Sequence, residues 1–365
     1  MNFQKIAIIG LGLIGGSLAA ALKRKNVATH LIGIDYEDVV AQALSRGLIA
    51  EGYALTNIET GLSSANLIIL ATPINRILDL LCEISDKVKD GTLITDVGST
   101  KVKIIETAKT RLPEGVYFLG GHPMTGTEKS GLDHADPFLF ENAVYVLAEN
   151  NDIPGDLVAR FVDLIETIGA KVIFLSAKLH DEIAAVVSHL PQILAITLMN
   201  YASKLNKKNS AYLKLAAGGF RDMTRVASSP YEIWDDILKT NEENIHLAIR
   251  QFVEELKTMG HLLSVSKLEA IFNDAAQNRL SIPKDTRGFL KRHFDISVVV
   301  EDKPGVIAAI STILADKKIN IKDIEVLKVR EGDAGTLRLA FESSDDRKQA
   351  ITLLTTAGFQ ATKRE

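Results

Sequence analysis

The opening of the chain constrains its fold more than any other stretch. Residues 5–10, Lys-Ile-Ala-Ile-Ile-Gly, form a short apolar strand that breaks into Gly10-Leu11-Gly12-Leu13-Ile14-Gly15, with a helix from Leu18 to Lys25 directly behind it. Glycines at this spacing between a strand and a helix allow a tight turn. They also allow a pyrophosphate to approach the backbone and rest on the helix N-terminus. The next apolar run, Leu31 to Ile34, ends in Asp35, 20 residues beyond Gly15. A carboxylate there accepts from the adenosine ribose hydroxyls and repels a 2′-phosphate, which selects NAD over NADP. Gly10, Gly12, Leu13, Ile14, Gly15 and Asp35 are thus expected to hold the dinucleotide.

Alternation of strand and helix continues from there. Leu67–Ala71 opens into Thr72-Pro73, Thr92–Val97 into Gly98-Ser99-Thr100-Lys101, and Val116–Leu119 leads to His122. Helical stretches at 74–87, 101–111 and 155–168 separate these runs, and residues 142–147 and 171–174 are further short β-rich segments. The pattern predicts an α/β fold with a Rossmann-type doubly wound sheet, whose ligands bind outside the carboxyl ends of the strands. Thr72, Pro73, Ser99 and His122 stand at such ends and share one crevice with the glycine turn. Imidazole exchanges a proton near neutral pH without special help, so His122, between Gly121 and Pro123, is expected to be a general base.

From about Ser176 the β pattern stops, and helices are expected at 179–205, 211–217, 220–227, 233–259 and 261–278. Residues 184–199 are nearly all apolar, which predicts burial on most sides, in part by a second subunit. Within that run Pro191 removes a backbone bond, frees the carbonyl of Val187 and should kink the helix beside His189. His189 is then either a core histidine bonded to the loosened backbone or a substrate ligand. In Gly218-Gly219-Phe220-Arg221-Asp222-Met223-Thr224-Arg225 a helix would place Arg221 and Arg225 on one face as an anion site. Trp234 is either core or a cover over the pocket. A polar linker at 283–292 precedes a βαββαβ pattern, which divides the chain into 1–175 for the dinucleotide, 176–282 for substrate and dimerisation, and 293–365.

Composition excludes several classes. The net charge of −4 argues against nucleic acid as a partner and requires local arginines to recruit any anion. A single cysteine, Cys82, makes no internal disulfide, suits a reducing cytoplasm, and at its helical spacing is expected to be buried filler. No apolar run near ~20 residues is apparent, so no membrane span is expected. The N-terminus runs straight into a strand without a signal-peptide layout. No metal-ligand cluster is present in the pattern.

With these motifs in place the chain resembles the prephenate dehydrogenases. The resemblance rests on Ile-Ile-Gly-Leu-Gly-Leu-Ile-Gly-Gly-Ser at 8–17, Asp-Val-Gly-Ser-Thr-Lys at 96–101 and Gly-His-Pro-Met-Thr-Gly-Thr-Glu-Lys-Ser-Gly at 121–131. Ser-His-Leu-Pro at 188–191 and the Gly-Gly-Phe-Arg-Asp-Met-Thr-Arg segment at 218–225 extend it, with Trp234 beyond. It implies NAD-dependent oxidative decarboxylation of prephenate to 4-hydroxyphenylpyruvate in tyrosine biosynthesis. It also implies His122 as base, Ser99 bonded to His122 or to the substrate hydroxyl, and Arg225 on a substrate carboxylate. His189, Arg221 and Glu128 would line the pocket. Many relatives carry histidine where this chain has Gln192, which cannot titrate. The tail, with Glu-Asp-Lys-Pro-Gly-Val-Ile-Ala at 301–308, is similar to an ACT domain. By that likeness an amino-acid effector, tyrosine first, would bind near Asp302, Gly305, Val306 and Asn320. Two other readings stand beside this one: an arogenate or cyclohexadienyl dehydrogenase, and a non-catalytic NAD- and amino-acid-sensing regulator. A cytoplasmic homodimer is the expected setting.

Overall fold

The structure is a computed structural model that describes residues 3–27, 30–126, 129–263, 268–281, 293–301, 303–328 and 334–364. These fall into two compact units, one reaching to Gln277 and the other formed by the C-terminal part of the chain.

The first unit begins with β1 (Lys5–Ile9), α1 (Leu13–Arg24), β2 (His30–Asp35), α2 (Glu37–Ser45), β3 (Glu51–Ala54) and α3 (Ile58–Leu62). It continues through β4 (Leu67–Leu70), α4 (Ile74–Glu83), β5 (Leu93–Asp96), α5 (Val102–Arg111) and β6 (Tyr117–Leu119). The strands form one parallel sheet in the order β3-β2-β1-β4-β5-β6. Side chains alternate across it. Ile6 and Ile8 pack with Leu18, Leu22 and Phe161 on one face, whereas Ala7 and Ile9 pack with Ile77, Leu80 and Leu81 on the other. A sheet buried on both faces reads as continuous apolar runs, and this is why its central strands were legible. The edge strand β3, Glu-Gly-Tyr-Ala and half-buried throughout, gives no such signal.

After β6 the chain leaves this sheet. β7 (Gly121–Pro123), β8 (Val144–Ala148) and, beyond α6 (Gly155–Thr167), β9 (Lys171–Leu175) form a separate three-stranded sheet in the order β7-β8-β9. His122 is thus on a short strand, paired with Val146, and not in a loop.

The helical part comprises α7 (Ala177–Ala184), a π-turn (Ala185–His189), α8 (Leu190–Asn206), α9 (Ala211–Lys214), α10 (Gly218–Thr224), a 3-10 turn (Arg225–Ser228), α11 (Tyr231–Thr240), α12 (Glu242–Leu262) and α13 (Leu268–Ser281). The expected proline kink takes the form of the π-turn, in which the backbone widens just before Pro191, a residue with no N–H to return. Ala177–Asn206 is one continuous helical run of 30 residues that contains an 18-residue window of mean hydropathy 1.5, long and apolar enough to cross a membrane, which corrects the expectation that no such run exists. Its inner side buries His180, Asp181, His189 and Gln192, while Leu179, Ile183, Val186, Val187 and Ile196 are exposed, so within one chain the expected burial on most sides does not hold. Cys82 also departs from expectation, since it is exposed. α4 buries Ile74, Ile77, Leu80 and Leu81, and position 82 falls on the outer face.

The second unit is β10 (Phe294–Glu301), α14 (Val306–Ala315), β11 (Asp323–Lys328), β12 (Ala334–Phe341), α15 (Ser344–Thr356) and β13 (Gln360–Lys363), the expected βαββαβ order. Its sheet, β11-β12-β10-β13, packs Ile296, Val298, Leu337 and Leu339 against Ile310, Leu314, Ala350 and Leu354 of the two helices. On the alternate positions Arg338 bonds Asp295 at 3.1 Å and Glu325 at 2.8 Å, and it also bonds Asp323. The linker at 283–292 lies outside the described residues.

Candidate active site

The dinucleotide side of the crevice follows from steric limits. Gly10 has φ +94°, and a Cβ on it would meet the Ala71 carbonyl oxygen at 2.5 Å. A Cβ on Gly15 would fall 1.9 Å from the Gly10 oxygen. At Gly12, by contrast, a Cβ would meet nothing within 4 Å, so this glycine faces open space at the N-terminus of α1. No side chain caps that end and no acid stands in its first turn, so its amides, those of Leu13 and Ile14 among them, remain for an anionic ligand. Asp35 Oδ2 accepts from the Leu11 N–H at 2.6 Å, which ties the second strand to the turn. Its Oδ1 accepts from the Tyr36 N–H at 2.7 Å. The Thr72 hydroxyl is buried without a protein partner among the described residues, and Pro73 precedes α4 without capping it by a side chain. A cradle with an uncapped helix end fits the pyrophosphate and ribose of NAD.

The proton side is built on a chain of three residues. His122 Nδ1 lies 2.8 Å from His180 Nε2, and His180 Nδ1 lies 2.8 Å from Asp181 Oδ1. A carboxylate only accepts, so His180 carries a hydrogen on Nδ1. In its neutral form it then accepts at Nε2 from the Nδ1–H of His122. The lone pair of His122 is thereby left on Nε2. Burial, reinforced by the neighbouring His180, Lys101 and His189, holds the His122 imidazole well below its usual proton affinity. Asp181 also accepts from the Lys101 N–H at 2.7 Å and the Val102 N–H at 2.9 Å, so it caps α5 from the helical part. Ser99 is half-buried in the turn after β5, and its hydroxyl has no hydrogen-bond partner among the described residues.

His189 is 1% exposed and pairs with the Asn241 side-chain amide, Nδ2 to Nδ1 at 3.2 Å, not with loosened backbone. The Asn241 amide also donates to the Asp181 carbonyl at 2.8 Å. Desolvation pushes the His189 imidazole down to about 4, so it stays neutral, accepts at Nδ1 and keeps its hydrogen on Nε2. Trp234 follows the core reading. It packs against the core below the sheet, and its ring meets that of His189 edge-on, with centroids 6.0 Å apart. Gln192 is 3% exposed, and neither its amide oxygen nor its nitrogen has a partner among the described residues.

Arg221 and Arg225 do not share one α-helix. Arg221 lies in the middle of α10 and Arg225 opens the 3-10 turn that follows it, both on an exposed segment that packs against α8. Glu128 and Asp302 lie outside the described residues. In the second unit Gly305 takes φ +89° ahead of α14, Val306 begins that helix, and Asn320 is exposed just before β11. Sequence reasoning missed His180, Asp181 and Asn241. The only signal was an adjacent imidazole and carboxylate at the head of an apolar helix.

Comparison with known proteins agrees with this geometry. The family model for the nucleotide-binding domain of prephenate dehydrogenase matches residues 18–174, and that for its dimerization domain matches residues 176–276. A model of the ACT domain, AHAS small subunit-like, matches residues 296–355. A prephenate dehydrogenase of Bacillus subtilis is 37% identical over 357 residues, covering 96% of each chain. One of Lactococcus lactis is 38% identical over 360 residues, covering 96% of this chain and 97% of its own. The solved prephenate dehydrogenase of A. aeolicus, in complex with hydroxyphenyl propionate and NAD+, is 28% identical and superposes with a TM-score of 0.72. It covers 77% of this chain and 99% of its own. With family models matched over residues 18–174 and 176–276 and relatives 37–38% identical over 96% of its length, the chain belongs to the prephenate dehydrogenase family.

Proposed function

We propose that this chain catalyses the NAD-dependent oxidative decarboxylation of prephenate to 4-hydroxyphenylpyruvate in tyrosine biosynthesis. The observation that carries the reading is the Asp181–His180–His122 chain, which leaves an unprotonated Nε2 on His122 in the crevice that the glycine turn opens. Bound NAD+ supplies the hydride acceptor. His122 Nε2 takes the proton of the ring hydroxyl as the hydride leaves the same carbon. The ring carboxylate then departs as CO₂, and its bonding pair completes the aromatic ring. His122 must be neutral for this, and its buried, cation-flanked setting keeps it so.

Ser99 is proposed to bond the substrate hydroxyl, a role open to it because its own hydroxyl is not engaged. The unpartnered amide of Gln192 and the Nε2–H of His189 are further candidates for polar contacts with substrate, together with Glu128 and Trp234. Arg225, aided by Arg221, would hold a carboxylate on the exposed turn after α10. We assign 1–175 to the nucleotide, 176–282 to substrate and dimerisation, and 293–365 to an amino-acid effector, tyrosine in the first instance. The apolar outer face of Ala177–Asn206 supports a homodimer, and the cytoplasm is the proposed location. The test is NADH formation with prephenate and then arogenate, each with NAD+ and NADP+. Turnover confined to arogenate, or to NADP+, would overturn the assignment, and no turnover with either substrate would leave a sensing protein.

A further inference from the structure

Lys101 is 0% exposed, an unusual setting for an ammonium group, and the steps above use nothing of it but its charge beside His122. Its Nζ is paired with the Asp96 carboxylate and donates to the Gly121 carbonyl at 2.7 Å. Asp96 meanwhile accepts from the Gly121 N–H at 3.1 Å and from the Gly98 N–H at 2.8 Å. Gly121, the residue before His122, is therefore held at both its N–H and its carbonyl, and the turn that carries Ser99 is held by the same carboxylate. At its other end, the Lys101 main chain donates to Asp181 Oδ1 at 2.7 Å.

We propose that Lys101 is the positioning residue of this site: its side chain fixes the strand that bears His122, and its main chain fixes the carboxylate behind His180. One residue thus holds both ends of the proton-accepting chain. The inference rests on His122 being the base.

A buried pair that only stabilised the fold would be replaceable by apolar groups at little cost to chemistry. The charge of Lys101 has a second effect. The ionisable groups around His122 are His180 and Asp181 from α7, His189 from the π-turn, and Asp96 and Lys101 from the end of β5 and its turn. Burial pushes the Lys101 ammonium down from its ordinary value while the Asp96 carboxylate opposes that, and as a cation Lys101 disfavours a second positive charge on the imidazole.

The experiment compares the parent with Lys101→Gln, Lys101→Met, the double variant Asp96→Asn/Lys101→Met, and His122→Asn, all as full chains. Lys101→Gln keeps a donor for Gly121 and loses the charge, and Lys101→Met loses both. The double variant leaves no orphaned buried carboxylate and is the one read if the single variants do not fold. We expect kcat to fall roughly 10–100-fold in Lys101→Met and less in Lys101→Gln, the order of loss from a base displaced by about 1 Å. The Michaelis constants for NAD+ and prephenate should hold within about twofold, since Lys101 touches neither (an expectation from its burial). The acid limb of the pH profile should rise by about one unit in both single variants. A folded double variant with parental kcat and an unmoved acid limb overturns the proposal. Parental turnover in His122→Asn overturns instead the reading of the base, so the two failures are separable.

Discussion

His122 Nδ1 and His180 Nε2 stand 2.8 Å apart although 58 residues separate them in the chain, and this bond fixes which nitrogen of His122 is free to take a proton. Asp181 completes the arrangement on the far side of His180. Its geometry gives sharp expectations.

His122→Asn should lower turnover by roughly 10²–10⁴-fold, the usual worth of a positioned base. NAD+ affinity, measured by fluorescence titration, should change little, because His122 makes no part of the glycine cradle. Near-parental turnover would remove His122 from the role.

Asp181→Asn offers His180 an amide that can either donate or accept, so the tautomer of both histidines is no longer fixed. Loss of kcat on the order of 10²–10⁴-fold is expected, as for other carboxylate-oriented imidazoles. The ¹⁵N spectrum of histidine-labelled parent should show His122 protonated at Nδ1 and His189 at Nε2. A parent with the opposite assignment for His122 would sink the orientation argument.

The pH dependence has a definite sign. Since the folded-state affinity of His122 for a proton is depressed, kcat/KM should hold as pH falls through 6.5 and decline only well below it. His189 adds a stability effect: with its value lowered from 6.5 to about 4, it favours the folded state above 6.5, and that contribution is lost as pH falls towards 4. Thermal midpoints should therefore drop across that window. An acid limb at or above 6.5 would contradict the buried setting of His122.

Arg225→Ala should raise the Michaelis constant for prephenate by the equivalent of about 2–4 kcal/mol, with lysine a partial substitute because it cannot bond bidentately. Equal affinity in parent and variant would exclude Arg225 from carboxylate binding.

Asp35→Ser should narrow the preference for NAD+ over NADP+. Because Asp35 also holds the Leu11 amide at 2.6 Å, affinity for NAD+ itself should weaken. In the other unit, a chain ended near Arg287 should keep turnover but lose inhibition by tyrosine, with coupling on the order of 1–3 kcal/mol in the whole chain. Inhibition of equal strength after truncation would place tyrosine at the substrate site.

What the sequence shows and hides divides along physical lines. The glycine turn and Asp35 were legible because their demands are local, φ +94° at Gly10 being the clearest. The strand that carries His122 was not, since three residues containing a glycine and a proline carry no alternation to read. Nor was the partnership of Lys101 with Asp181, which depends on how α7 docks on α5. Cys82 was placed on the wrong face because an apolar neighbourhood is ambiguous by one residue, and a shift of one position is about 100° around a helix.

The cap that Asp181 places on α5 makes the base a joint product of two stretches of chain. Lys101 comes from the turn after β5 and His122 from β7, whereas His180, Asp181 and Asn241 come from the helices. Should the helices loosen while the sheet stays intact, the glycine cradle would survive and the imidazole would lose its orientation. Mild denaturation would then yield a protein that still takes up nucleotide yet performs no oxidation. Inactivation would precede loss of binding, as in an interlock that opens the circuit before any part breaks.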